Sequence, residues 1–92
     1  MATLDASTVD RALSGRGWER HGDTLRKVVK KADFRGALDY VNRVGELAER
    51  ADHHPDIDIR WNTVTLVLTT HSAGGLTEKD LDLAAAIDGL DA

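Results

Sequence analysis

The sequence contains no cysteine, and this absence excludes several kinds of functional site. Without cysteine the chain can form no disulfide, no thiol nucleophile and no thiolate metal site. The absence also fits a reducing compartment. The first residues lack the charged segment and apolar stretch of a secretory signal, so we expect the protein to be cytoplasmic.

Long apolar segments and long basic segments are also missing. No window approaches the roughly 18 apolar residues of a membrane helix, so we expect no membrane span. The formal net charge is -4, which gives little electrostatic support for a nucleic-acid partner. The one basic cluster, RKVVKK at residues 26–31, is interpreted as the solvated face of an edge strand.

The length and the composition indicate one globular domain over residues 1–92. A chain of 92 residues suffices for one modest core and leaves little for a second. Hydrophobic residues make up 41% of the chain, which is too apolar for a disordered protein.

Short helices are predicted near both ends of the chain. Residues 8–13 have helical spacing, with Ser7 as the N-cap and Gly15 as the stop. Near the other end, Thr77 and Asp80 form the pattern of a capping box. The buried side of this last helix is predicted to comprise Leu81, Ala84, Ala85 and Ile87.

Between the first helix and residue 32 the pattern predicts a β-hairpin. The Gly22–Asp23 pair is typical of a type II′ turn, which would join strands near residues 17–21 and 24–31. The adjacent Val28 and Val29 interrupt the alternation of the second strand. They indicate either a bulge or a strand that is apolar on both faces.

A long helix is predicted to begin at Phe34 and to end at about His53, because Pro55 cannot continue it. Its apolar residues fall on one side at a period of 3.6 residues. The predicted buried side comprises Phe34, Leu38, Val41, Leu47, Ala48 and Ala51. The opposite side comprises Asp39, Arg43, Glu46 and Arg50.

Two further strands are predicted after this helix, DIDIR and TVTLVLTT, followed by a loop at residues 72–75. In the second strand Val64, Leu66 and Leu68 should face the helices, and the alternate residues should face outward. The expected fold class is α+β, with element order α-β-β-α-β-β-α. Its architecture would be a two-layer sandwich, with helices on one face of a four-stranded antiparallel sheet.

His53 is a candidate proton donor because Glu49, four residues earlier, shares its face of the helix. A neighbouring carboxylate and the helix dipole both raise the pKa of an imidazole, and Asp52 could add to this effect. The alternative is that Glu49 and Asp52 are surface acids and that His53 only terminates the helix.

The other histidines differ in their surroundings. His54 should point away from His53, where it could bind a ligand or hold the turn. His71 should be exposed at the end of an outward strand face, and His21 is interpreted as a surface residue. Asp80 needs no role beyond capping its helix, although it could also orient His71.

The spacing of these residues resembles the signature of the pterin-4a-carbinolamine dehydratase family. The pattern is Glu49, three residues, His53-His54-Pro55, five residues, Trp61, nine residues, His71, eight residues and Asp80. The similarity also includes Gly17-Trp18, the ADF segment before the long helix, TTH, GGLT and the last helix. It therefore covers nearly the whole chain.

This resemblance implies a hydro-lyase that converts 4a-hydroxytetrahydropterin to quinonoid dihydropterin without a metal or an organic cofactor. The reaction needs one proton delivered to the C4a hydroxyl and one removed from N5, and an imidazole with a pKa of about 6.5 can do either. By resemblance the catalytic residues are His53, His71 and His54. The implied substrate-binding residues are Glu49, Asp52, Pro55, Trp61, Lys79 and Asp80.

One position departs from the family pattern, because Ile57 occupies a place where many members have an aromatic residue. Two alternatives to the enzyme remain. Family members in animals also act as dimerisation partners of a transcription factor, so the chain could be a non-catalytic interaction module. A metal site built from His53, His54, His71 and an acid is the second alternative, although adjacent histidines cannot easily reach one ion.

The resemblance also implies self-association, since the family forms dimers and tetramers. An exposed strand edge would give a chain of this size a reason to do the same. We therefore expect a homodimer or a homotetramer.

Overall fold

The computed structural model describes residues 2–91 and contains one four-stranded antiparallel sheet with the helices on one face. In chain order the elements are α1 (Ala6–Leu13), β1 (Trp18–His21), β2 (Thr24–Lys30), α2 (Phe34–Ala51), β3 (Asp56–Arg60), β4 (Thr63–Leu68) and α3 (Glu78–Asp88). Short 3₁₀ turns occupy His71–Ala73 and Gly89–Asp91. The predicted α+β class and element order are confirmed.

The strands lie in the order β1-β2-β4-β3, so β2 and β4 form the centre of the sheet. Leu25 of β2 lies opposite Leu68 of β4, and Ile57 of β3 lies opposite Leu66. The basic cluster at residues 26–31 begins on this central β2, so the prediction of an edge strand is wrong. The strand order depends on the pairing of β2 with β4, which are far apart in the sequence. No local pattern predicts that pairing.

The hairpin between β1 and β2 is confirmed, and β2 is apolar on both faces. His21 pairs with Thr24 across a two-residue turn, with Gly22 at φ 58°. Pairing of β2 with β4 runs without interruption, so no bulge separates Val28 from Val29 within this strand. Val28 is 56% exposed on the open face, whereas Val29 packs against the core.

The first helix begins earlier than predicted. Asp5, rather than Ser7, is its N-cap, and the Asp5 carboxylate accepts a hydrogen bond of 2.8 Å from the backbone N–H of Thr8. The predicted cap at Ser7 is wrong because Asp5, two residues earlier, is an equally strong capping residue. Helix α1 packs on the core through Val9 and Leu13, which are both buried.

The buried side of α2 differs in part from the predicted side. Ala37, Tyr40, Val44 and Ala48 face the core, whereas Phe34 and Leu38 are 46% and 41% exposed. Ala51 is also exposed, so the predicted side is wrong at three of its six positions. The helix carries two apolar stripes, and the core covers only one of them. No helix within residues 2–91 is long and apolar enough to cross a membrane.

Helix α3 begins with the predicted capping box between Thr77 and Asp80. Its buried residues include Leu83, Ala84 and Ile87. Ala85 is exposed, so its predicted burial is wrong, and Leu83 takes its place in the core.

The carboxyl end of α3 is attached to the hairpin through Asp88. Its carboxylate accepts hydrogen bonds from Arg16 Nη2 at 2.6 Å, Lys27 Nζ at 2.7 Å and Trp18 Nε1 at 2.8 Å. Partial burial alone would raise the pKa of Asp88, but the hydrogen bonds from Lys27, Trp18 and Arg16 together hold that pKa below its ordinary value.

Replacing Asp88 with asparagine is expected to lower the free energy of unfolding by about 1–3 kcal/mol at neutral pH, because three donors lose a charged acceptor. Since the folded-state pKa lies below the unfolded value of 3.8, this contribution is present above pH 3.8 and is lost as the pH falls through the folded pKa. Urea unfolding across this range measures both effects. The exposed Asp82, replaced in the same way, is the control. A difference between Asp88→Asn and wild type that stays constant with pH would contradict the assignment.

Candidate active site

Helix α2 ends in a left-handed turn at Asp52 that directs the next residue, His53, into the protein. Asp52 has φ 49° and ψ 43°, and its N–H bonds the carbonyl of Glu49 while the His53 N–H bonds the carbonyl of Ala48. This pair of bonds is a Schellman motif. The helix stops at Ala51, two residues before the predicted end at His53.

His53 forms a hydrogen bond with Asp80, at the start of α3. Its Nε2 lies 2.6 Å from Oδ1 of Asp80, which is fully buried, and His53 itself is only 9% exposed. The expectation that Glu49 would pair with His53 is therefore wrong, and Asp80 contacts His53 rather than His71. Glu49 is the nearest acid along the helix, but the left-handed turn moves His53 away from that face.

The Asp80 carboxylate is fully satisfied by hydrogen-bond donors. Its Oδ2 accepts from the Thr70 hydroxyl at 2.7 Å and from the Thr77 backbone N–H at 2.9 Å. Burial of a carboxylate is costly unless donors surround it, and these donors come from two different segments. The arrangement fits the ionised form of Asp80.

An ionised carboxylate can only accept, so Nε2 of His53 carries the hydrogen in this contact. The other ring nitrogen, Nδ1, has no hydrogen-bond partner among residues 2–91, and it is not a buried atom. It is therefore accessible from outside. In this tautomer the neutral ring presents the lone pair of Nδ1 for proton transfer.

His54 points the opposite way and contacts Glu49. Its Nε2 lies 3.1 Å from the Glu49 carboxylate, and both side chains are more than half exposed. The prediction that His54 diverges from His53 is confirmed. An exposed pair of this kind contributes little to stability.

His71 comes to the same cavity as His53, although 18 positions separate them in the sequence. It begins the 3₁₀ turn His71–Ala73, one element beyond β4, and is exposed as expected. The cavity has a volume of about 260 Å³. Its lining consists of Asp52, His53, His54, Thr69, Thr70, His71, Ser72 and Lys79.

A second, larger groove adjoins this cavity and shares His54 with it. It has a volume of about 960 Å³, and its lining includes Glu49, Pro55 and Ile57. Five of the nine sequence-predicted site residues thus line the smaller cavity, Glu49 and Pro55 line the adjoining groove, and Asp80 lies behind His53.

Trp61 is the one predicted site residue that lies far from the histidines within a single copy of the chain. It lies in the turn between β3 and β4 at φ 55° and is 65% exposed. The turn is five residue steps from Asp56, roughly 16 Å along an extended strand. A single copy therefore does not bring Trp61 to the histidines.

The described part of the chain contains no group of three or more histidine, aspartate or glutamate side chains placed to hold a metal ion. The histidines diverge, and His53 and His54 each pair with a different acid. The arrangement suits proton transfer by separate imidazoles.

Thr70 belongs to the site but was not predicted from the sequence. The signal was present in the alternation of β4, since Leu66 and Leu68 face the core and Thr70 continues that inward set. A threonine in an inward position needs a buried partner, and here Asp80 is that partner.

The family model that matches this chain is described as pterin 4 alpha carbinolamine dehydratase and matches residues 2–90. The chain belongs to that family.

Curated relatives agree with this assignment. A protein of Mycobacteroides abscessus named "Putative pterin-4-alpha-carbinolamine dehydratase" is 55% identical over 89 residues, which cover 96% of this chain and 95% of the relative. A protein of the same name from Mycolicibacterium vanbaalenii is 54% identical over 91 residues, covering 98% of each chain.

Two solved structures share the fold. A crystal structure from Brucella melitensis, described as a transcriptional coactivator/pterin dehydratase, matches with a TM-score of 0.91 and 29% identity over 98% of this chain and 99% of that one. A pterin dehydratase-like protein described as a RuBisCO assembly factor in the alpha-carboxysome matches with a TM-score of 0.64 and 20% identity, over 79% of this chain and 84% of that one. The second likeness concerns the fold alone.

Proposed function

We propose that this protein dehydrates 4a-hydroxytetrahydropterin to quinonoid dihydropterin by histidine acid and base catalysis, in the regeneration of a pterin cofactor. The observation that carries the proposal is the cavity shared by His53 and His71, with His53 fixed from behind by the buried Asp80. Membership of the family supports the substrate class.

In the proposed reaction the charged ring of His53 donates its Nδ1 proton to the hydroxyl on C4a, and the C–O bond breaks with water as the leaving group. His71 accepts the proton from N5, and the electrons of that N–H bond form the C4a=N5 double bond. The Nε2–H of His53 stays hydrogen-bonded to the Asp80 carboxylate, whose negative charge stabilises the imidazolium. Nothing is oxidised or reduced.

The remaining cavity residues are proposed to bind the pterin. The pyrimidine edge of a pterin carries adjacent N–H donors and a carbonyl acceptor. Carboxylates of Asp52 and Glu49 suit the donors, and the ammonium of Lys79 suits the carbonyl. His54, held by Glu49, would orient the pterin ring over Pro55. Ile57, which stands where many family members have an aromatic residue, would contact the ring through its aliphatic side chain.

A non-catalytic interaction module on the same fold is the alternative function. The Brucella melitensis relative is described as a transcriptional coactivator as well as a pterin dehydratase. A buried carboxylate that pairs with an imidazole costs desolvation energy. A docking surface has no need of such a pair. The pair therefore favours the enzyme.

Stopped-flow measurement of the dehydration of enzymatically generated 4a-hydroxytetrahydropterin tests the proposal. The protein should accelerate the reaction above its spontaneous rate in proportion to protein concentration. A folded preparation that leaves the spontaneous rate unchanged would reject the enzyme in favour of the interaction module. A cytoplasmic location and independence from metals and organic cofactors stay predictions from the sequence.

We also propose that the active form is a homodimer that pairs the edge strands β3. An antiparallel pairing centred on Asp58 places Asp56 opposite the second copy's Arg60, so that opposite charges meet at both ends. The same register places Pro55 opposite the second copy's Trp61. The partner would thus supply the aromatic side chain that one copy lacks at its site.

The exposed Phe34 and Leu38 on α2 offer a second self-association surface, which would extend the dimer to a tetramer. Light scattering of the purified protein is expected to show at least a dimer. Introducing Ile57→Pro into the paired edge should shift it to monomer, because proline removes a ladder N–H. A wild-type monomer at micromolar concentration would contradict this arrangement.

A further inference from the structure

The hydroxyl of Thr70 lies between two other buried groups. It is 2.7 Å from Oδ2 of Asp80 and 2.8 Å from the hydroxyl of Thr77. All three residues are almost completely buried. Because each hydroxyl has a single hydrogen to donate, the direction of every bond in this group can be deduced.

The deduced bonds all point toward Asp80. Thr70 donates its hydrogen to the carboxylate, so the hydroxyl of Thr77 must donate to the oxygen of Thr70. Thr77 in turn accepts from the backbone N–H of Lys79 at 3.2 Å, in the first turn of α3. The chain of donors therefore delivers the positive end of the helix dipole to the carboxylate.

Thr70 also begins the turn that carries His71. Its carbonyl accepts from the N–H groups of Ala73 and Gly74, both at 3.0 Å, and its own N–H bonds the carbonyl of Gly75 at 3.1 Å. The residue is thus fixed through its backbone to the His71 turn and through its side chain to the partner of His53. One threonine connects the two histidine segments.

We propose that Thr70 is a positioning residue of the dehydratase site, whose hydroxyl holds the Asp80 carboxylate directed at His53 while its backbone holds the His71 turn against that pair. This inference rests on the proposed function for its catalytic consequence. Its structural part concerns the tautomer of His53 and stands independently of any substrate.

The physical reason lies in the donors that orient the Asp80 carboxylate. With the hydroxyl present, Oδ2 has two donors and Oδ1 is left for the Nε2–H of His53. Without it, the buried carboxylate loses one of the donors that orient Oδ1 toward His53, and its hydrogen bond with the Nε2–H weakens. The neutral ring of His53 would then gain a fraction with its hydrogen on Nδ1, the nitrogen that must exchange protons with the substrate.

The test compares Thr70→Val, which is nearly isosteric but lacks the hydroxyl, with Thr70→Ser, which keeps it. Thr65→Val, the same change on the open face of β4, is the matched control. For Thr70→Val we expect kcat to fall about tenfold with KM changed less than about twofold. Serine should restore most of the rate, and the control should equal wild type.

Nitrogen-15 NMR of the imidazoles, recorded where the rings are neutral, supplies the second measurement. Wild type and Thr70→Ser should show His53 as the Nε2–H tautomer, and Thr70→Val should show a clear Nδ1–H fraction. Should the valine protein not fold, Thr70→Ala also lacks the hydroxyl and gives the same comparison.

An unchanged tautomer, or an unchanged kcat in a variant without the hydroxyl, would overturn the proposal. If wild type itself proves inactive, the proposed function fails on that result. The tautomer comparison then still decides whether Thr70 positions His53, so the two failures are distinguishable.

Discussion

Replacing His53 with alanine is expected to lower kcat for pterin dehydration by about 10²- to 10⁴-fold, the usual contribution of a positioned acid or base. The variant removes the group that would protonate the leaving hydroxyl, while most of the cavity lining stays in place. KM should therefore change much less than kcat. Stopped-flow assays at saturating substrate measure the loss.

His21→Ala is the matched control for this experiment. His21 is an exposed histidine that contacts Glu19, and it lies in the hairpin, away from the cavity. Its replacement should leave the rate unchanged, whereas His71→Ala should lower kcat as His53→Ala does. Equal activity of His53→Ala and His21→Ala would remove His53 from the mechanism.

Replacing Asp80 with asparagine should affect both catalysis and stability. Asparagine keeps the size of the side chain but loses the charge, and its amide can donate to His53 Nε2 and so favour the wrong tautomer. Loss of an orienting carboxylate behind a catalytic histidine can cost up to about 10⁴-fold in kcat. The free energy of unfolding should fall by about 1–3 kcal/mol, since the donors around Asp80 lose their charged acceptor.

Glu78→Gln is the control for the asparagine variant. Glu78 lies in the same first turn of α3 and is exposed, so it shares the helix-dipole effect without contacting His53. Urea unfolding and stopped-flow assays should show near-wild-type values for this control. An Asp80→Asn protein with wild-type kcat would show that the hydrogen bond between Asp80 and His53 serves folding alone.

The elements that the sequence predicted best were those with a local signature. The alternation of β4 gave its buried face correctly, and the glycine of the Gly22–Asp23 turn adopts the positive φ that the turn type requires. The capping box at Thr77 was likewise found from two residues three positions apart.

Features that depend on long-range contacts were predicted less well. The strand order puts β2 in the centre, which no pattern within residues 26–31 could reveal. On α2, Phe34 and Leu38 are as apolar as Tyr40 and Val44, and helical periodicity alone does not decide which stripe the core covers.

The candidate site shows the same division between features that were predicted and features that depend on long-range contacts. The gathering of His53 and His71 in one cavity was expected from the family resemblance and is seen in the structure, whereas their roles remain predictions. Asp80 was among the site residues that the resemblance implied, but its pairing with His53 was not predicted, because spacing along a helix pointed to Glu49 and the real partner is 27 positions away. Thr70 was missed for the same reason.

The left-handed residue at Asp52 has a consequence for how this segment tolerates insertions and deletions. Because it reverses the chain within one residue, neighbouring imidazoles end in opposite surroundings, one interior and one in water. Removing or adding a single residue between Asp52 and Pro55 would exchange them, and the ring facing Asp80 would become the wrong one. Connections of this kind usually accept changes in length. Here we expect natural variation in length to be confined to other connections of the chain.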